Sequence, residues 1–201
     1  MFDRQASLLI QPLVTGLAKT AARLGLSANQ LTMTAFCIGM FASYSIATGA
    51  YLTGATAILT SRLLDALDGA VARLTQATDA GGFLDITLDF VFYASVPLAF
   101  AFSDPARNAL PAAVLLAAFM GTSASFLAFA VLAAKRGLNN LNTPNKSFYF
   151  LGGLTEAGET LVCFLAMCLW PDAFIELAYG FAVLCGITTV IRIHWGWQAF
   201  H

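Results

Sequence analysis

The residues of this chain best equipped for chemistry are four aspartates, Asp65, Asp68, Asp85 and Asp89, set in otherwise apolar runs. On a helix, Asp65 and Asp68 stand at i, i+3 and Asp85 and Asp89 at i, i+4, so each pair shares one face. Carboxylate oxygens are hard ligands, and four that converge make a cage for Mg²⁺ or Mn²⁺, expected as two ions. Such ions bridge phosphate oxygens and stabilise the charge of phosphoryl transfer. Inside a membrane helix each carboxylate costs about 2.5–3.5 kcal/mol, so four left uncompensated cost on the order of 10 kcal/mol. Arg62 and Arg73 are too few to neutralise them, and Arg62, one turn before Asp65, reads as a structural counter-ion. Gly69 and Ala72 follow Asp65 by one and two turns, and Gly81 precedes Asp85 by one. Small residues there serve close helix packing or leave space for a nucleotide, and spacing does not choose between the two.

The elements that position these residues must be membrane helices. Hydrophobic residues make up 59% of the 201, and only 10% are charged, against roughly 25% in a soluble domain. Mean hydropathy is +0.76. With 10 basic and 11 acidic residues, the composition excludes a disordered chain and a nucleic-acid binder, which needs an excess of Lys and Arg. Apolar runs at 31–52, 54–73, 82–102, 109–134, 147–170 and 173–195 approach the roughly 20 residues that a spanning helix requires. Breaks are expected at a tight turn over Tyr51–Gly54, at Ser103–Asn108, in a polar loop over Arg136–Lys146, and at Trp170–Asp172. Ahead of them, Ile10, Leu13, Leu17, Ala21 and Leu24 fall near one helical face, with Lys19 and Arg23 off it. That pattern predicts an amphipathic helix on the membrane surface rather than a signal peptide. Cys37, Cys163, Cys168 and Cys185 lie in apolar runs without metal-ligand spacing and read as packing residues.

The expected fold is therefore all-α integral membrane: one domain over 1–201, with an interfacial helix and linker at 1–28 and six transmembrane helices at 29–198. With the N-terminus inside, Arg4, Lys19, Arg23, Arg73, Lys135, Arg136, Lys146 and Arg192 fall on the cytoplasmic side, and Arg107 alone opposite. This positive-inside bias places both termini in the cytoplasm. The second span then runs inward and the third outward, which brings both aspartate pairs to a similar depth in the cytoplasmic half.

The stretch Asp65-Ala-Leu-Asp-Gly-Ala-Val-Ala-Arg73, followed by Gly81-Gly-Phe-Leu-Asp85-Ile-Thr-Leu-Asp89, resembles the signature of the CDP-alcohol phosphatidyltransferases. That signature runs D-x2-D-G-x2-A-R, a spacer, then G-x3-D-x3-D, and every specified residue type is present. The spacer holds seven residues, one fewer than usual, and falls in the cytoplasmic loop. Ser27-Ala-Asn-Gln-Leu-Thr32 is similar to the start of the family's first span, with Ala where Pro is usual. The resemblance implies a small bacterial inner-membrane enzyme, homodimeric, with its active site facing the cytoplasm. It implies transfer of the phosphatidyl group of CDP-diacylglycerol to a small polar alcohol, with release of CMP. It also implies Asp65, Asp68, Asp85 and Asp89 as metal ligands, Asp89 as general base, and Asp65, Gly69, Ala72, Arg73 and Gly81 at the CDP site.

The acceptor is less legible. Lys135, Arg136, Lys146 and Arg192 could receive the phosphate of glycerol 3-phosphate or an inositol phosphate, or could serve as positive-inside anchors. Glu156 and Glu159, at i, i+3 in the fifth run, could bind an acceptor's ammonium or hydroxyl groups, or pair with Arg192 or Arg62. His194 beside Trp195 and Trp197 reads as an interface residue. The alternative from another class is a divalent-cation transporter or channel, in which carboxylates would recur at several depths along a pore.

Overall fold

The computed structural model describes residues 14–137 and 154–201, and all regular elements among them are helical. A short helix α1 over 14–23 precedes α2 (Ala28–Ala47), α3 (Tyr51–Leu74), α4 (Asp79–Ser103) and α5 (Pro105–Lys135). Then come α6 (Ala157–Leu169), a 3₁₀ turn at Pro171–Ala173, and α7 (Phe174–Phe200). The expectations placed on Arg4, Ile10, Leu13 and Lys146 lie outside the described residues.

Caps and turns account for the boundaries. Ser27 and Gln30 form a reciprocal capping box at the start of α2, with Gln30 Oε1 accepting from the Ser27 amide at 2.9 Å. The α2–α3 turn falls at Thr48–Ala50, ahead of the expected Tyr51–Gly54. Gly49 takes a φ of +81°, which suits glycine, and the Ala50 amide donates back to Ser45 O at 2.8 Å. Gly54 is instead helical, and a Cβ there would lie 2.6 Å from Ile46 Cγ1, so its role is close packing. The break expected over Ser103–Asn108 shrinks to Asp104. That residue caps α5 by accepting from the Arg107 amide at 3.2 Å, and Pro105 occupies the first helical position.

Two further boundaries differ from expectation. The fifth run is not one helix over 147–170, because 154–156 are non-helical and α6 starts at Ala157. Glu156 is its N-cap in extended conformation, and the Glu159 carboxylate accepts from the Glu156 amide at 3.2 Å. The 13 residues of α6 rise about 20 Å, short of a hydrocarbon core about 30 Å thick. The last helix continues past 195 to Phe200, carrying His194, Trp195 and Trp197 within it.

Helix α1 packs through Val14, Ala18 and Ala21 onto Leu31 of α2 and Ala70 and Val71 of α3. Of the expected apolar face, Ala21 packs against the bundle, whereas Leu17 is 43% and Leu24 74% exposed. Ala18 and Ala21 let the helix sit close, whereas leucines there would hold it off. The main core lies further along the bundle, around Ile46, Ile58, Phe92, Val96, Phe164 and Met167, with Phe100 stacked between Tyr51 and Phe174. Since lipid is as apolar as these side chains, what the core contributes is tight packing rather than escape from solvent.

Four of the helices, in α2, α4, α5 and the 171–200 segment, are long and apolar enough to cross a membrane. Outward residues such as Leu110, Met120 and Val131 of α5 are about two-thirds exposed, as a lipid-facing surface requires. This is a membrane-protein architecture. The 24 residues of α3 are long enough to span, but they carry Arg62, Asp65, Asp68 and Arg73. Polar links tie the helix ends together. Arg107 meets Asp172 at 3.7 Å at one end, and Arg136 donates to Phe200 O at 2.6 Å at the other.

Candidate active site

The C-terminal half of α3 and the N-terminal half of α4, both packed against α2, carry the four aspartates between them. Asp65, Asp68 and Asp85 each offer a carboxylate oxygen, and the three oxygens lie within 4.8 Å of one another. Asp68 is only 4% exposed, and its Oδ2 meets no hydrogen-bond donor among the described residues. A buried carboxylate oxygen left without a donor is costly, and a cation bound to it removes that cost. Three hard oxygen donors at this spacing fit a divalent ion of the Mg²⁺ or Mn²⁺ kind.

Asp89 is placed differently from the other three. Its Oδ1 accepts from Arg62 Nη1 at 2.6 Å, while the same nitrogen stands 3.5 Å from Asp65 Oδ1. Arg62 is thus the counter-ion the sequence suggested, and its first partner is on the neighbouring helix. The guanidinium lies over the Phe92 ring at 4.3 Å, a contact invisible in a one-dimensional reading.

Asp65, Asp85, Asp89 and Arg62 line a small cleft with Thr32, Phe36 and Leu88. Thr32 enters because α2 crosses here, and its side chain neighbours Asp68. The sequence offered Thr32 only as the end of a helix-start pattern, and nothing singled out Phe36 or Leu88. The small residues divide. A Cβ on Gly69 would meet only Arg73 Nη1, at 3.4 Å, so no neighbouring helix demands a glycine there. A Cβ on Gly81 would come within 2.9 Å of Asn29 Oδ1, so Gly81 also serves the approach of the α2 start. Arg73 is exposed and Ala72 half-buried, both on the last turn of α3.

Of the residues suggested for the acceptor, Arg192 and Glu156 come together between α5, α6 and α7. Arg192 donates to Thr122 O at 3.1 Å and lies within electrostatic reach of Glu156. Thr155 donates to Thr188 Oγ1 at 3.1 Å beside it. Glu159 is engaged in the α6 capping box, and Arg136 is held by the Phe200 carbonyl and ring at the end of α7. Lys135 is exposed.

The pattern of the family described as CDP-alcohol phosphatidyltransferase matches residues 26–191, which include both helices of the site. The chain belongs to this family. It is 47% identical over 197 residues to inner membrane protein YnjF of Escherichia coli, across 98% of this chain and 96% of that one. It is 30% identical over 179 residues to the archaetidylinositol phosphate synthase of Pyrococcus horikoshii, across 89% and 87% of the two chains. A crystal structure of Mycobacterium tuberculosis phosphatidylinositol phosphate synthase with CDP-DAG bound shares the fold. Its TM-score is 0.69 at 23% identity, over 92% of this chain and 94% of that one. A second structure of that enzyme, with manganese and citrate, superposes with a TM-score of 0.68 at 24% identity, over 92% and 88%. In a CDP-alcohol phosphatidyltransferase the aspartate motif has a reaction to serve, and the clustering of its first three members between α3 and α4 gives that motif a shape.

Proposed function

We propose that this CDP-alcohol phosphatidyltransferase transfers the phosphatidyl group of CDP-diacylglycerol to the hydroxyl of a small polar alcohol, releasing CMP. The observation that carries the reading is the convergence of Asp65, Asp68 and Asp85 within 4.8 Å beside an open glycine face. Those carboxylates hold Mg²⁺ or Mn²⁺, with Asp89 completing a two-ion centre, and the bound ions supply charge stabilisation to the reacting phosphates. Manganese in the Mycobacterium tuberculosis structure supports this choice of ion. Gly69 and Ala72 leave room for the cytidine nucleotide, and Arg73 faces its phosphates. The alcohol oxygen forms a bond to the phosphorus that bears diacylglycerol. The bond from that phosphorus to the bridging oxygen breaks, CMP leaves with the electron pair, and the alcohol proton passes to the Asp89 carboxylate.

The acceptor contacts fall to Arg192 and Glu156, with Glu159 and Lys135 at the edge, because Arg136 is committed to the end of α7. Glycerol 3-phosphate and an inositol phosphate are the acceptors to try first. The second is supported by the name of the Pyrococcus horikoshii relative. Six membrane spans with α1 on the surface, a cytoplasmic site and a homodimer complete the proposal. The cation-transporter alternative would need acids spaced along a pore, whereas three of the four gather within 4.8 Å of one another. The test is CMP release by the purified protein from CDP-diacylglycerol and Mn²⁺ with a panel of alcohols, phosphorylated and not. At least one alcohol is expected to release CMP; folded protein that releases none with any of them overturns the assignment.

A further inference from the structure

Arg62 is held at both Nη atoms and on its ring-facing side, while its buried Nε meets no acceptor among the described residues. Its side chain is 11% exposed, Nη1 donates to Asp89 Oδ1 at 2.6 Å, and Nη2 donates to Ser61 Oγ at 3.2 Å. Ser61 is itself fixed by donating to Ala35 O of α2 at 2.7 Å. The guanidinium packs on the Phe92 ring at 4.3 Å, with Tyr93 at 5.7 Å. A guanidinium does not lose its proton in a protein, so a permanent unit of positive charge sits between Asp89 and Asp65. The other side of the cluster is different: Asp65, Asp68 and Asp85 converge without Asp89 and, among the described residues, without a cation in hydrogen-bond contact with Asp68 or Asp85.

We propose that Arg62 is a positioning residue that acts as the resident cation of Asp89 and imposes an order on metal loading. The first ion binds Asp65, Asp68 and Asp85, and the second binds only in competition with Arg62. This inference rests on the two-ion reading above. The first ion meets three carboxylate oxygens already gathered. A second ion needs Asp89, so its binding breaks a charge-assisted hydrogen bond and sets a dication beside a guanidinium that cannot withdraw far. The charge, 3.5 Å from Asp65 Oδ1, opposes the first ion as well, but breaking the Arg62–Asp89 bond burdens the second site alone. Until that site fills, the Arg62 contact also keeps Asp89 Oδ1 occupied and away from an alcohol proton.

The experiment is a Mn²⁺ titration of purified, metal-free protein without substrates, with free Mn²⁺ followed by its paramagnetic resonance signal. The wild-type protein should bind in two classes whose affinities differ by about tenfold or more. Arg62→Met keeps an unbranched stem on Phe92 and removes the charge, and should tighten the weak class by about tenfold or more. The tight class in the same titration reports that the variant is folded. Arg62→Lys should retain the split, and Asp89→Asn should remove the weak class while sparing the tight one. Two equal classes in the wild type, or a split that Arg62→Met leaves unchanged, would overturn the role of Arg62 and leave the two-ion centre standing. Should Arg62→Met not fold, loss of the tight class in Asp89→Asn, or of the split in Arg62→Lys, overturns it equally. No Mn²⁺ binding by the wild type would overturn both readings together.

Discussion

A carboxylate 2.6 Å from a guanidinium is committed, and one that shares a cluster with two other carboxylates is waiting for a cation. The four aspartates divide along that line, and their consequences differ. Asp89→Asn keeps the size of the side chain but cannot accept the alcohol proton. CMP release should fall by about 10²–10⁴-fold, with the thermal midpoint in detergent nearly unchanged. Gly69→Ala asks a different question of the same site. Its Cβ would touch only Arg73, so stability should hold while KM for CDP-diacylglycerol rises. A lowered midpoint without a KM change would return Gly69 to packing. All four aspartates and Arg62 were legible because charge in an apolar run is expensive and therefore conspicuous. The Arg62–Asp89 bond was not, since it depends on the rotation of α4 about its own axis, which spacing within α3 does not encode.

Among the elements, helices were legible wherever apolar length decided them, and their ends were not. Gly49 rather than Tyr51–Gly54 makes the first turn, because one left-handed residue suffices to reverse the chain. Glu156 and Glu159 read as intramembrane charges in a continuous run, yet together they cap α6. Alternation of charge and apolarity could not reveal that the run was interrupted; the Glu-x-x-Glu spacing was the available signal. Close packing at α2 is where the fold is most exposed to single changes. A Cβ at Gly39 would lie 2.6 Å from Phe92 Cδ2, and that ring is buried and also carries Arg62. Gly39→Ala should therefore lower stability by about 1–3 kcal/mol, read as a reduced thermal midpoint, and should disturb Mn²⁺ binding through Arg62.

For the molecule as a whole, composition and the family signature made the membrane class and the chemistry legible, while the acceptor cluster needed three helices to meet. Arg107 pairs with Asp172 at one end of the bundle, and Arg136 reaches Phe200 at the other. In the orientation proposed from the positive-inside pattern, the Arg136 end is cytoplasmic. In a variant lacking the four native cysteines, Arg107→Cys should react with an impermeant thiol reagent on intact cells. Lys135→Cys should react only after permeabilisation, and the reverse result would invert the topology and remove the site from its nucleotide substrate. The central claim is phosphatidyl transfer at a carboxylate-held metal centre. It is tested most directly by measuring CMP and phosphatidyl-alcohol together, in protein stripped of divalent ions and then restored with Mn²⁺. Stripped protein should yield no product, and restored protein one CMP for each phosphatidyl-alcohol. Undiminished turnover without the ion, or CMP release with no phosphatidyl-alcohol formed, would contradict it.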